Sequence, residues 1–369
     1  MNETLQLTVQ LGPRSYDILV GEGLLFSCGS AVVGLENISR AILVTNPTVD
    51  ALYGDPVRAS LEAAPGIESP VATVEIADGE EHKSLATVEG IYDRVLELGG
   101  DRNTVVIALG GGVVGDVAGF AAATVLRGLR VVMLPTTLLA QVDSSVGGKT
   151  GVNRPQGKNL VGAFHQPSLV LADTACLSTL SGREYSAGLA EVVKHGVIAD
   201  AELLELLEQK ADAVLARDPA VMSPIVARNC AIKADVVSRD ETENGLRRIL
   251  NFGHTVGHAL ERLTDYKRYV HGEAVSIGMV AAARVSLRQG ACDAAFVERL
   301  ESLLDSLGLP TSLPAGLDRE AVAGAVMHDK KSSGGGVVFI LTEGAGSCRQ
   351  QLLDPADIVA AMGDSAAGV

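Results

Sequence analysis

Between Met1 and about Asp173 the chain alternates two kinds of hydrophobic pattern. Short apolar runs bounded by turn residues have the length and β-branched content of strands: LQLTVQL, AILVT at 41–45, VATVEI at 71–76, TVVIAL at 104–109, RVVML at 130–134 and LVLA at 169–172. Stretches with helical spacing lie between them. This alternation predicts an α/β domain around a largely parallel sheet, because a crossover helix returns the chain to start the next strand in the same direction. From about Cys176 the pattern lengthens. GREYSAGLAEVVKHGVI, AELLELLEQKADAVLARD, PIVARNCAIKADVVSRD, GHTVGHALERL, EAVSIGMVAAARVSLRQG and FVERLESLLDSLG predict a mainly α-helical second domain. Near the end, GVVFILT and SCRQQLL flank the turn EGAG and predict a hairpin, followed by a short helix from Pro355. The expected division is 1–175 and 176–369, and 369 residues is long enough for two cores.

The most legible segment follows TVVIAL. Gly110, Gly112 and Gly115 match G-x-G-x-x-G and run into AGFAAATVLRG, an apolar helix that Gly128 stops. In that pattern the missing side chains let backbone N–H groups approach a pyrophosphate. A tight βα turn without ligand would look the same. About 20 residues on, where a simple dinucleotide fold places an acid on the ribose, the sequence reads Val131 to Thr137 with no acid. The expectation is therefore a modified Rossmann-like domain whose ribose contacts come from Glu80 and Lys83 in ADGEEHKS, or from Asp143.

Composition narrows the function classes. A net charge of −15 and a sequence pI near 4.9 disfavour nucleic acid and anionic membrane as partners, so an anionic substrate needs a local basic pocket. Cys28, Cys176, Cys230, Cys292 and Cys348 are scattered, odd in number and never spaced C-x-x-C, which points to a reducing, cytoplasmic setting and away from a cysteine zinc site. The first residues lack the pattern of a signal peptide, and no apolar run reaches the roughly 20 residues of a membrane span.

Candidate chemistry gathers in the second half. His254 and His258 are four apart and share one helix face, His271 follows in YVHGEAV, and Glu191 stands in GLAEVVKHG. A carboxylate and imidazoles from separate segments suit a catalytic metal site with an open position; spacing leaves open whether His254 or His258 is the ligand. Lys149, Lys158 and Asn159 occupy SSVGGKTGVNRPQGKNLVGAF, whose glycines predict a flexible wrapping loop. Lys194 follows Glu191 by one turn, and Lys233, Arg247 and Asn251 precede the histidines. Such clustering in an acidic chain favours a doubly anionic substrate over surface ion pairs.

Taken together, GGGVVGDVAGFAAATVLRG, LPTTLLAQVDSSVGGKTGVN, GKNLVGAFHQP, GLAEVVKHG, NFGHTVGHALE and HGEAVSIGM resemble the 3-dehydroquinate synthase family, in order and over nearly the full chain. That family is similar in outline to glycerol dehydrogenases and other metal-dependent alcohol dehydrogenases. The resemblance implies that Glu191, His254 and His271 ligate zinc or cobalt, while His258 stays off the metal for proton transfer. It implies NAD contacts from the loop Asp78, Gly79, Glu80, Glu81, His82 and Lys83, and from the turn Gly111, Gly112, Val113, Val114, Gly115 and Asp116. Thr136, Thr137, Asp143, Lys149 and Lys158 complete the implied cofactor set. Implied substrate ligands are Lys149, Asn159, Lys194, Lys233, Arg247, Asn251, His258 and Lys330, with Arg127 reaching the phosphate from the partner in a homodimer. Lys149, Lys194, Asn251 and His258 carry the implied catalytic roles.

The implied reaction turns 3-deoxy-D-arabino-heptulosonate 7-phosphate into 3-dehydroquinate and phosphate. The C5 hydroxyl is oxidised by NAD, the C6 proton becomes acidic, phosphate leaves, the hydride returns, and an intramolecular aldol step closes the ring. Lys233 with Arg247 suits a substrate carboxylate. The alternatives are another sugar phosphate cyclase and a net NAD-dependent polyol dehydrogenase.

Overall fold

The computed structural model describes residues 4–313, 319–328 and 336–361, so the expected substrate ligand Lys330 lies outside the described residues. The strands β1 (Leu5–Val9), β2 (Tyr16–Gly21), β3 (Arg40–Thr45), β4 (Ala72–Glu75), β5 (Thr104–Gly110), β6 (Arg130–Pro135) and β9 (Leu169–Asp173) form one sheet. Their order is β1-β2-β9-β6-β5-β3-β4. Every neighbouring pair is parallel except β1 with β2, as the α/β pattern predicts. Central β5 is buried at every position because both of its faces are covered, which is why it reads as a continuous apolar run and not as an alternation. Val105, Ile107 and Leu109 of β5 join Leu43, Val132, Leu134 and Leu171 in the core on one side of the sheet.

Two expectations need correction. The segment SSVGGKTGVNRPQGKNLVGAF is not a flexible loop: β7 (Lys149–Arg154) and β8 (Gly157–Phe164) pair antiparallel across it, with a register shift between Val152 and Arg154. Its strand glycines serve close approach. A Cβ on Gly162 would lie 2.0 Å from the Thr150 carbonyl oxygen, and one on Gly151 would lie 2.7 Å from that of Val161. The single boundary near 175 is also replaced. The chain forms two compact units, Met1–Leu180 with Pro219–Thr242, and Ser181–Asp218 with Glu243–Val369.

The helix Pro219–Arg239, expected in the helical domain, therefore belongs to the first unit. Its buried face includes Met222, Ile225, Val226, Cys230 and Val237. Ser238 Oγ accepts from the Gln10 backbone at 3.0 Å, Ser223 pairs with Thr174 at 2.8 Å, and the Cys230 thiol donates to the Gln141 carbonyl at 3.2 Å. Periodicity had shown that one face is buried, but it carries no information about which neighbour buries it.

The second unit is built from helices and the hairpin β10 (Val337–Thr342) with β11 (Cys348–Leu353), which pairs antiparallel as expected. A short helix follows at Pro355–Ala361. No helix among the described residues is long and apolar enough to cross a membrane.

Candidate metal centre and nucleotide-binding turn

Within the second unit three helices meet at glycines: Gly182–Ala199, His254–Leu263 and His271–Arg288. A Cβ on Gly272 would stand 1.9 Å from the Ala187 carbonyl oxygen, and one on Gly278 would stand 2.0 Å from that of Gly253. Gly253 is itself left-handed, at φ 79°, and starts the His254 helix. Backbone therefore touches backbone at these crossings. His271 precedes Gly272, His254 follows Gly253, and Glu191 lies one turn beyond Ala187, so the same contacts that pack the helices bring the three side chains together.

The ligand atoms of Glu191, His254 and His271 all lie within 4.8 Å of one another. Glu191 is fully buried, with Oε1 3.5 Å from His254 Nε2 and 3.6 Å from His271 Nε2. Among the described residues its Oε1 accepts no hydrogen bond. An ion with bonds of about 2.1 Å in tetrahedral geometry separates its ligand atoms by about 3.4 Å, close to these spacings, so the residues fit a divalent metal. His254 Nδ1 lies 3.1 Å from the Phe252 carbonyl, which accepts its proton and leaves Nε2 as the ring's lone pair. The Lys194 ammonium pairs with Glu191 Oε2.

Charge states follow from this packing. Burial would raise the Glu191 carboxyl, but Lys194, His254 and His271 outweigh it and hold it well below the usual carboxylate range. Burial, helped by Lys194, pushes His254 down to about 3, so the ring is neutral and able to ligate. Burial also opposes the charged form of His271, yet Glu191 and Glu261 on its two sides lift it to about 10.

Spacing left His254 and His258 undecided; the geometry places His254, not His258, against Glu191. His258 is exposed, with its ring centroid 5.3 Å from that of His254 and 5.9 Å from that of His271. Arg247 is buried, and the Asn251 amide donates to Glu243 Oε1 at 3.0 Å. Sequence reasoning missed Glu243 and Glu261. The latter had a signal: it stands seven residues after His254 on the same helix face, in a row that is otherwise apolar or ligand-bearing.

In the first unit, β5 ends at Gly110 and the helix Gly112–Thr124 begins two residues later. Gly111, at its start, offers no side-chain cap, so the first N–H groups remain available to an anion. A Cβ on Gly111 would meet Thr137 Cγ2 at 3.1 Å, and one on Gly112 would meet Ser144 Oγ at 3.2 Å. Gly110, Gly111, Gly115, Pro135, Ser144 and Ser145 line a small cavity at this turn, and Thr136 donates its backbone N–H to Gly110. Side chains here would crowd the turn, and its uncapped N–H groups have the chemistry of an anion site.

The 78–83 loop is tied to the turn. Lys83, 5% exposed, reaches both Asp116 Oδ2 and Asn159 Oδ1. Burial raises the Asp116 carboxyl, while the Lys83 ammonium works against that rise. Asn153, another residue missed from sequence, donates through its side chain to Glu80 Oε1 at 2.8 Å and through its backbone to the Lys83 carbonyl at 2.8 Å. Asp78 accepts from Thr48 at 2.8 Å, and Gly79 takes φ 115° to lead into the turn of helix Glu80–His82.

Candidates of the substrate and cofactor sets also touch one another and neighbouring acids. Asn159, a substrate candidate, lies on Lys83, a cofactor candidate. Lys233, a substrate candidate, binds Asp143 Oδ1 at 2.6 Å as well as its carbonyl. Lys149 opens β7 and is exposed, Lys158 lies half-buried in β8, and Arg127 is exposed on the turn after the glycine helix, with φ 67°.

Comparison with known proteins agrees with this geometry. The 3-dehydroquinate synthase N-terminal model matches residues 73–187 and the 3-dehydroquinate synthase C-terminal model matches residues 188–332. The chain is 51% identical over 344 residues to a 3-dehydroquinate synthase of Pelobacter propionicus, covering 93% of this chain and 94% of that one. A 2-deoxy-scyllo-inosose synthase complexed with carbaglucose-6-phosphate, NAD+ and Co2+ superposes with a TM-score of 0.87 at 28% identity, covering 97% of this chain and 99% of that one. A 2-epi-5-epi-valiolone synthase of Streptomyces hygroscopicus with NAD+ and Zn2+ bound gives 0.84 at 30% identity, over 94% and 95% of the two chains. This chain belongs to the 3-dehydroquinate synthase family.

Proposed function

We infer that this protein converts 3-deoxy-D-arabino-heptulosonate 7-phosphate to 3-dehydroquinate and phosphate, as an NAD- and divalent-metal-dependent carbon–oxygen lyase. The observation that carries the reading is the buried trio Glu191, His254 and His271 with Lys194 on the same carboxylate, in a chain so similar to a 3-dehydroquinate synthase. Bound metal would polarise the hydroxyl to be oxidised, and bound NAD would take and return its hydride. The relatives with NAD+ and Co2+ or Zn2+ support that cofactor pair.

The residues then take these parts. Gly111 to Gly115 present N–H groups to the pyrophosphate, Thr136 and Thr137 border it, and Lys83 with Asp116 fixes the loop that would carry the ribose. Glu191, His254 and His271 would hold zinc or cobalt. Lys194, one turn from Glu191 and 1% exposed, would bind the substrate oxygen in which negative charge develops. His258, exposed beside the trio, is placed to hold or move a proton, with the Asn251 amide as a donor. Lys149 and Arg127 would bind the phosphate, Arg127 from the partner copy of a homodimer. Arg247 is a buried cation, chemistry that suits a carboxylate, which favours this substrate over sugar phosphates lacking one. A cytoplasmic location accords with the five free thiols.

The test supplies the heptulosonate phosphate with catalytic NAD and a divalent metal. Inorganic phosphate and cyclic ketone should appear in equal amounts while NADH stays flat. NADH rising in step with substrate loss would make the protein a polyol dehydrogenase instead.

A further inference from the structure

Glu261 has no assigned part in the reaction, yet its carboxylate is only 4% exposed. A buried carboxylate is costly unless a specific partner holds it. One partner is His271, whose Nδ1 lies 3.3 Å from Glu261 Oε2. The same ring turns its Nε2 toward Glu191 at 3.6 Å, so carboxylates stand at both of its nitrogens. A neutral imidazole has one proton to place, and it can offer Nε2 to an ion only when that proton sits on Nδ1. His254 solves the same problem with an uncharged acceptor, the Phe252 carbonyl at 3.1 Å.

We propose that Glu261 is a positioning residue of the metal centre: its carboxylate holds the Nδ1 proton of His271, orients the ring and makes Nε2 the stronger donor of the two imidazoles. The inference rests on the reading that Glu191, His254 and His271 bind an ion. A rival use of the same side chain exists, because ligand atoms of His258, Glu261 and His271 also lie within 4.8 Å of one another. That grouping would need His271 to ligate through Nδ1, the nitrogen the first reading commits to a proton.

The experiment loads metal-free wild type, Glu261→Gln and Glu261→Ala with Co2+ and measures ions bound per chain, affinity by chelator competition, and the visible Co2+ spectrum. Wild type should bind one ion. Glu261→Ala should lose about 10–100-fold in affinity with a shifted spectrum. Glu261→Gln, which keeps an oxygen acceptor for Nδ1–H, should recover most of the affinity while its spectrum stays intermediate. Melting of the metal-free forms separates positioning from packing: a loss of affinity in both variants that tracks lower melting would overturn the proposal. So would a wild-type affinity and spectrum in Glu261→Ala, or two ions in wild type with one lost in that variant. Wild type that binds no Co2+ would overturn the metal reading and this inference together.

Discussion

Gly272→Ala tests whether helix packing builds the metal centre, without altering any proposed ligand. The added methyl carbon would sit 1.9 Å from the Ala187 carbonyl oxygen and 2.5 Å from the carbonyl carbon, both backbone atoms that cannot swing aside. Ordinary contact begins near 3.5 Å, so the helices bearing His271 and Glu191 must part by about 1.5 Å. Metal–ligand distances tolerate only about 0.2 Å. If the parting is passed on, the 3.6 Å gap between Glu191 Oε1 and His271 Nε2 opens toward about 5 Å, wider than the roughly 3.4 Å that one tetrahedral ion can bridge. Overpacking of this kind also costs about 1–3 kcal/mol of stability. Chelator competition should show at least a tenfold loss of Zn2+ or Co2+ affinity, and thermal melting of the metal-free protein should fall. Gly90→Ala is the control: Gly90 lies within the helix Leu85–Glu97 with nothing within 4 Å of its added carbon, so it should gain about 0.5–1 kcal/mol. Wild-type metal affinity in Gly272→Ala would refute the idea that this crossing sets the ligand spacing.

His271→Ala should lose the bound ion and turnover together while circular dichroism of the metal-free protein stays native; full activity in chelated buffer would remove the metal assignment. Lys83→Met should weaken NAD binding and destabilise the first unit by about 2 kcal/mol in urea titration, because it leaves Asp116 without its ammonium partner. The same variant should raise the Asp116 carboxyl further, and an unchanged NAD affinity would release the 78–83 loop from its cofactor role. Burial pushes Cys176 and Cys230 up to about 12 and Cys292 to about 11, so on the order of one thiol in ten thousand or fewer is ionised at neutral pH. Iodoacetamide should therefore leave the buried Cys28, Cys176 and Cys230 unmodified in the native protein and label them only on unfolding; rapid native labelling at any of the three would contradict this burial.

Much of the architecture was legible because burial writes itself into runs and periods. β5 reads as TVVIAL since both its faces are covered, and the helix Ala294–Ser306 carries the spacing of its buried Phe296, Val297, Leu300, Leu303 and Leu304. The β7–β8 hairpin was hidden by glycines, which look permissive in sequence whether they bend a loop or let two backbones touch. Residues 219–242 were placed in the wrong unit because an amphipathic pattern names a face and not its neighbour. At the metal centre, sequence alone gathered the candidate residues but left His254 and His258 tied, as both share one helix face. The family resemblance points to His254, and the tertiary geometry accords with it: Gly253 starts the helix and His254 Nδ1 meets the Phe252 carbonyl.

The interleaved path of the chain has a consequence for synthesis. The β1–β2 side of the first unit's sheet lacks its covering helix until residues 219–242 have left the ribosome, by which point Ser181–Asp218 of the second unit is already outside. The apolar surface awaiting Met222, Ile225 and Val237 must stay open meanwhile, so the nascent chain cannot complete its units one after the other and is exposed to chaperone capture during that interval.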